Sequence, residues 1–227
     1  MIFRQLFDSD SATYTYLLGD AVRREAVIVD PVREQAQRDL AVLRDLGLKL
    51  VYILETHVHA DHVTGAKALK AQTGAAAGVS QHCGASGFDR LLDDGELIVF
   101  GDQVLRAIGT PGHTPGSTCY LWRDRLLTGD TLLIGGCGRT DFQLGDAGTL
   151  YDSITGRLFT LPDDTLVYPG HDYQGRWVST IGQEKRTNPR LVNVSRQQFI
   201  EMMRNLELPH PKKIAEAIPA NLRGGSA

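Results

Sequence analysis

The chain has 227 residues, of which 42% are hydrophobic and 22% charged, and its formal net charge is −3. This composition is ordinary for a folded globular protein and excludes a disordered or collagen-like chain. The charge is mild and forms no run of one sign, which argues against nucleic-acid binding, so we expect a small-molecule substrate.

The sequence shows no pattern for a membrane helix, a signal peptide or a disulfide framework, and this bears on the expected cellular location. Its apolar runs are much shorter than the roughly 20 residues of a membrane helix. Its first residues show no basic segment followed by an apolar one, so we expect no signal peptide and no membrane association. Cys83, Cys119 and Cys137 are too few and too scattered for a disulfide framework. We therefore expect a cytoplasmic protein.

The first third of the chain predicts strands and helices in alternation. β-Branched and aromatic runs predict an antiparallel strand pair, Ala12 to Leu18 and Ala26 to Asp30. Apolar residues at helical spacing predict a helix from Glu34 to Leu46 that ends at Gly47. Leu50 to Leu54 predicts a buried strand, and a helix follows through Ala66 and Leu69.

The rest of the chain predicts further short strands, at Leu97 to Phe100, Val104 to Ile108, Thr118 to Trp122, Leu126 to Thr128, Leu132 to Ile134 and Thr165 to Tyr168. Helices are predicted near Leu150 to Phe159 and at Arg196 to Leu206, before an extended ending from Pro209. Two groups of strands interleaved with helices predict an α/β fold, an αβ/βα sandwich of two mixed sheets with helices outside. We expect one domain over residues 1–227, with a short C-terminal tail that is part helical and part extended.

The segment THVHADH, Thr56 to His62, carries the clearest chemical signal. In an extended backbone, side chains two residues apart point the same way, so His57 and His59 can converge on one point. Asp61 and His62 can serve a neighbouring point.

Three later residues sit in comparable settings beside glycine, in loops next to predicted strands: His113, Asp130 and His171. A lone histidine is more often structural than a ligand. Five of the seven histidines, however, fall in these three histidine-bearing segments. Imidazole and carboxylate ligands without thiolates favour zinc, iron or manganese at a catalytic site. Spacing alone leaves open whether one metal is bound or two, with Asp130 bridging.

These residues resemble the metallo-β-lactamase superfamily, whose HxHxDH signature and later His, Asp and His they match. The stretch LLTGDTLLIGGCGRTDFQ, Leu126 to Gln143, is similar to the persulfide dioxygenases of the ethylmalonic encephalopathy protein type. So are EKRTNPRL and IPANLRGG, at Glu184 to Leu191 and Ile218 to Gly225.

The resemblance implies an enzyme that oxidises glutathione persulfide with O2 to sulfite and glutathione, in sulfide detoxification. It implies one Fe(II) per chain, held by His57, His113 and Asp130, a set of two histidines and one carboxylate found in non-haem iron oxygenases. The remaining residues of the signature would orient those ligands and bound water: His59, Asp61, His62 and His171. A homodimer and a sulfurtransferase partner are also family-level expectations.

Glutathione carries two carboxylates, which favour arginine and hydrogen-bond donors near the metal. Arg139 and Tyr173 are the predicted substrate-binding residues, against the plainer interpretation of a surface arginine and a packed tyrosine. Cys137 is interpreted as a small residue in a tight turn rather than a nucleophile.

Three alternatives remain at this point. A glyoxalase II-like hydrolase would use two zinc ions to cleave glutathione thioesters. A β-lactamase-type hydrolase is disfavoured by Asp130 and by the lack of a secretory segment. A binding module that has lost its metal is disfavoured by the intact set of ligand residues.

Overall fold

The computed structural model describes residues 1–226 and contains two six-stranded sheets. The N-terminal sheet has its strands in chain order: β1 (Ile2–Asp8), β2 (Thr13–Gly19), β3 (Glu25–Val29), β4 (Lys49–Leu54), β5 (Ala76–Ser80) and β6 (Arg90–Leu92). Strands β1 to β3 pair antiparallel, whereas β3 to β6 pair parallel. The sheet is therefore mixed, as predicted.

The second sheet runs in reverse chain order from β12 at one edge to β7 at the other. Its strands are β7 (Leu97–Phe100), β8 (Gln103–Gly109), β9 (Thr118–Trp122), β10 (Arg125–Gly129), β11 (Leu166–Pro169) and β12 (Ser179–Thr180). In the described part of the chain, β10 and β11 are the only strands of this sheet that pair parallel.

Six α-helices accompany the sheets within residues 1–226: α1 (Ala36–Asp45), α2 (Ala66–Thr73), α3 (Ala147–Ser153), α4 (Ile181–Thr187), α5 (Arg196–Arg204) and α6 (Ile214–Asn221). A π-helical turn, Ile154–Leu158, continues α3. Within residues 1–226, no helix is long and apolar enough to cross a membrane.

The core has three layers of apolar contact, because each sheet is apolar on both faces. The central cluster lies between the sheets and includes Tyr16, Leu54, Phe100 and Trp122. A second cluster packs α3 and α5 on the outer face of the second sheet, and a third packs α1 and α2 on the first sheet. This arrangement is the predicted αβ/βα sandwich.

Two predicted elements are wrong. Leu132–Ile134 is a turn closed by a bridge between Leu133 and Gly136, because Leu132 and Ile134 are buried there without a partner strand. The extended ending contains α6, which includes Pro219 near its C-terminal end. Sequence reasoning also missed β1, β5, β6, β12 and α4.

Candidate metal centre

The predicted metal-binding residues all lie in loops that follow strands. His57 to His62 follow β4, and His113 lies between β8 and β9. Asp130 directly follows β10, and His171 follows β11. Strands β10 and β11 are parallel neighbours, so the loops at their carboxyl ends lie side by side. The two sheets thereby bring residues separated by more than a hundred positions to one edge of the sandwich.

His57, His113 and Asp130 form one compact group. Each offers a ligand atom, and these atoms lie within 4.8 Å of one another. His113 Nε2 is 3.7 Å from Asp130 Oδ2. The rings of His57 and His113 are nearly perpendicular, with centroids 4.8 Å apart. The structure thus brings together two imidazoles and one carboxylate in a geometry compatible with a single cation.

A second group joins the first through His171. His59, Asp61 and His62 also offer atoms within 4.8 Å of one another. His171 Nε2 is 3.5 Å from Asp130 Oδ1 and 3.8 Å from Asp61 Oδ2. All seven predicted residues therefore meet at one place. Their arrangement accommodates either one metal or two.

Hydrogen bonds fix which ring nitrogen of each histidine faces the group. His113 Nδ1 lies 2.7 Å from the carbonyl oxygen of Arg139, and His171 Nδ1 lies 3.1 Å from that of Ala12. A carbonyl oxygen only accepts, so both Nδ1 atoms carry the proton. The Nε2 atoms, which face Asp130, are left with free lone pairs, as a metal ligand requires.

His57 is oriented by two residues that sequence reasoning did not single out. The Thr56 hydroxyl donates to Asp30 Oδ2 at 2.8 Å, and the Thr56 backbone N–H donates to Asp30 Oδ1 at 2.7 Å. Since the hydroxyl proton is used, the Thr56 oxygen accepts from His57 Nδ1 at 3.0 Å. Asp30 has a positive φ of 51° at the end of β3, but nothing in the sequence links it to His57.

Glu55 and Asp30 also flank His59. His59 Nε2 lies 3.1 Å from Asp30 Oδ1 and 3.5 Å from Glu55 Oε2, and all three side chains are buried. Burial acts to lower the pKa of His59, but the Asp30 and Glu55 carboxylates outweigh it and raise that pKa well above its usual range. Burial raises the pKa of Glu55 to about 7.

Two other histidines of the group, His57 and His62, have a lowered pKa, which favours the neutral imidazole. Burial lowers the pKa of His57 well below its usual range, and the neighbouring His59 and His113 act in the same direction. Burial also lowers the pKa of His62, against the opposing effect of Asp61. Neutral imidazoles can coordinate a metal, whereas imidazolium cannot.

The residues fit a bound cation. Within residues 1–226, Asp130 Oδ1, His62 Nε2 and His59 Nδ1 are buried and have no hydrogen-bond partner. Buried polar atoms normally have partners, so such a cluster indicates a missing ligand. Glycine at position 138 lets the backbone pack against the group, because a Cβ there would lie 2.3 Å from the Asp130 carbonyl oxygen and 2.8 Å from His113 Nδ1.

A cavity of about 840 Å³ opens onto the group. His57, His113, Asp130 and His171 lie in its wall, together with the segment Leu208 to Lys213 near the C-terminus. A cavity of this size accommodates a small peptide-like molecule. The predicted tail is therefore part of the wall of the site.

Both predicted substrate residues line the cavity. The Arg139 guanidinium forms a paired bond with Asp141, at 2.7 and 2.6 Å, and also donates to the carbonyl oxygens of Leu208 and Pro209. Tyr173 is 77% exposed, and its ring lies parallel to that of His171 with centroids 6.1 Å apart. Their roles in binding stay predictions. Cys137 is buried in the turn between Gly136 and Gly138.

Comparison with known proteins agrees with this architecture. The family model of the metallo-beta-lactamase superfamily matches residues 9–171. The chain therefore belongs to the metallo-beta-lactamase superfamily.

Within that superfamily, similar proteins indicate the family to which the chain belongs. The human mitochondrial persulfide dioxygenase ETHE1 is 47% identical over 99% of this chain and 89% of its own length. The crystal structure of ETHE1 from Myxococcus xanthus superposes with a TM-score of 0.97 at 54% identity, covering 99% of this chain and all of that one. The chain thus falls in the ETHE1 family.

The chain also has a more distant likeness among solved structures. TTHA1623, whose crystal structure is of a di-iron-bound form, superposes with a TM-score of 0.71 at 27% identity, covering 83% of this chain and all of that one.

Proposed function

We propose that this protein is a persulfide dioxygenase that converts glutathione persulfide, O2 and water into sulfite and glutathione. The observation that carries the proposal is the group formed by His57, His113 and Asp130 at the base of the cavity. The 47% identity to a persulfide dioxygenase over nearly the whole chain supports the same reaction.

We further propose that one Fe(II) is the metal, held by His57, His113 and Asp130. Two histidines and one carboxylate are the donor set of many non-haem iron oxygenases. When bound, iron would supply redox chemistry and the coordination positions that three protein ligands leave open. The residues His59, Asp61, His62 and His171 would orient the ligands and bound water.

The protein's own part in the reaction is to prepare the ligands and to hold the substrate. Thr56 and the carbonyl of Arg139 keep the Nε2 atoms of His57 and His113 free. Fixed donors that need no rearrangement lower the cost of reaching the transition state.

Charge around the cavity is consistent with an anionic substrate. Arg139 and Arg176 are paired with Asp141 and Asp172, and Lys213 lies 3.1 Å from Glu34. Two basic side chains of the cavity wall form no ion pair with the rest of residues 1–226, namely Arg190 and Lys212. We propose that these cations, with Arg139 and Tyr173, face the carboxylates of the glutathione moiety.

The experiment that tests the proposal is O2 uptake by anaerobically purified, Fe(II)-loaded protein after addition of glutathione persulfide. We expect uptake matched by sulfite, and none when the persulfide is omitted. Bound iron without O2 uptake would contradict the proposal.

A glyoxalase II-like hydrolase with two zinc ions is the second candidate, because His59, Asp61 and His62 offer ligand atoms close enough together to hold a further metal ion. Hydrolysis of a glutathione thioester by protein holding about two zincs per chain would favour it. Cytoplasmic location, a single domain over 1–227, a homodimer and a sulfurtransferase partner stay predictions.

A further inference from the structure

The last helix of the chain reaches the metal-binding turn through one side chain, Asn221. Its Nδ2 donates to the carbonyl oxygens of His59 at 2.9 Å and of His62 at 2.8 Å. Its Oδ1 accepts the backbone N–H of Thr64 at 2.8 Å. The side chain is buried, with 3% exposure. Both donors and the acceptor of the amide are thus used on one six-residue turn.

That turn needs such a partner. Between the end of β4 and the start of α2 the backbone has no regular helix or strand to pair its polar groups, yet His59, His62 and Thr64 are all buried. Buried backbone N–H and C=O groups are costly when unpaired. A carboxamide supplies two donors and an acceptor in one plane, whereas a carboxylate supplies no donor.

Helix α6 is also held by contacts that do not involve the Asn221 amide. Ala217 and Ala220 pack against Val63 in a small apolar cluster. The carbonyl oxygen of Leu222 accepts from the backbone N–H of Ser86 at 2.7 Å. On the surface Glu216 lies 2.8 Å from Arg33. The hydrogen bonds of Asn221 can therefore be removed while the helix keeps its other contacts.

We infer that Asn221 is a positioning residue of the metal centre: it fixes the backbone path of the turn that follows the proposed ligand His57 and carries His59, Asp61 and His62. The inference rests on the proposed metal site but not on the oxidation of persulfide. The inference makes α6 part of the metal centre, because the three hydrogen bonds to the turn all come from Asn221 in this helix.

The test is Fe(II) affinity, measured anaerobically by competition with a chelator, in N221D and N221S. Aspartate keeps the size and the acceptor but loses both donors, and serine shortens the side chain. We expect both variants to bind iron about 10- to 100-fold more weakly, the range seen when a residue that supports a ligand is lost. E216Q, on the same helix but away from the turn, should bind as the wild type does. Wild-type affinity in N221D with a native circular dichroism spectrum would overturn the inference.

A second measurement needs no variant. If the turn and α6 are coupled, Fe(II) should slow amide hydrogen exchange in residues 214–225 of the wild type as well as in residues 57–64. Protection confined to residues 57–64 would overturn the inference even if the substituted proteins failed to fold. Failure of the wild type to bind any metal would instead refute the proposed metal centre, so the two failures are distinguishable.

Discussion

His113 Nδ1 donates to the carbonyl oxygen of Arg139 at 2.7 Å, so one residue supports both the metal site and the cavity. The main chain of Arg139 orients His113, which we propose as a metal ligand. Its guanidinium holds the carbonyl oxygens of Leu208 and Pro209 in the cavity wall. These two contributions involve different atoms, and a side-chain substitution can separate them.

For R139K we expect a KM for glutathione persulfide about tenfold higher, because an ammonium cannot reproduce the paired bond to Asp141 together with the two carbonyl contacts. Iron content should be unchanged, since the backbone bond to His113 remains. Steady-state O2 uptake and metal analysis of the same sample test both parts. Iron loss in R139K would show that the side chain also supports the ligand.

Replacement of a proposed ligand should remove the metal. In H57A and D130A we expect iron content to fall from about one per chain to less than about a tenth, because two remaining ligands bind weakly. H82A is the matched control, since His82 lies outside the group. Metal analysis after purification measures the result. Retained iron and activity in D130A would contradict the assignment.

The Thr56 hydroxyl should affect iron affinity, because it accepts the hydrogen bond from His57 Nδ1 and so fixes the tautomer of that ring. T56V keeps the shape but removes the acceptor for His57 Nδ1–H and the donor to Asp30. We expect iron affinity to fall about 10- to 100-fold, as for other residues that orient a ligand. T56S, which keeps the hydroxyl, should stay near the wild type. Equal iron affinities in T56V and T56S would argue against a role for the hydrogen bonds that link Asp30, Thr56 and His57.

Lys212 tests the charge of the substrate. In K212E we expect KM for glutathione persulfide to rise about tenfold with little change in kcat, because an attraction becomes a repulsion outside the reacting atoms. The difference should shrink as salt is added, because Lys212 is exposed. K49E, at the exposed start of β4, serves as the control. A KM independent of residue 212 would exclude it from substrate binding.

Asp39 should make stability depend on pH. Its side chain is fully buried beside Arg38, with a 2.8 Å ion pair, and burial outweighs that pair and raises its pKa from 3.8 to about 6. The folded state therefore binds the proton more tightly than the unfolded chain. Its contribution to stability is full below about pH 4 and is lost as pH rises through about 6.

We therefore expect D39N to raise the free energy of unfolding at pH 8 by about 1–3 kcal/mol. The loss of the ion pair with Arg38 reduces this gain. The gain should disappear near pH 4, where the aspartate of the wild type is already protonated. Denaturant unfolding at both pH values measures the difference. A D39N effect that is equal at pH 4 and pH 8 would contradict the raised pKa.

The sequence by itself determined the strands with dense β-branched residues, such as Leu50 to Leu54, and the helix before Gly47. It also identified all seven residues that meet at the site, from the close spacing of the four in THVHADH and from the glycine-flanked settings of His113, Asp130 and His171. These features depend on local periodicity and residue chemistry. Both can be read within a few positions of the chain.

Only the tertiary structure decided which distant groups support those residues. Asp30 reaches His57 through Thr56, and Asn221 reaches the turn after His57 from more than 150 residues away. Nothing near Asp30 or Asn221 in the sequence indicates these roles. A buried polar side chain must form hydrogen bonds to offset its desolvation, and only the tertiary structure shows which groups are its partners. The helical ending was missed for the same reason, because α6 forms against Val63 rather than from its own proline-containing sequence.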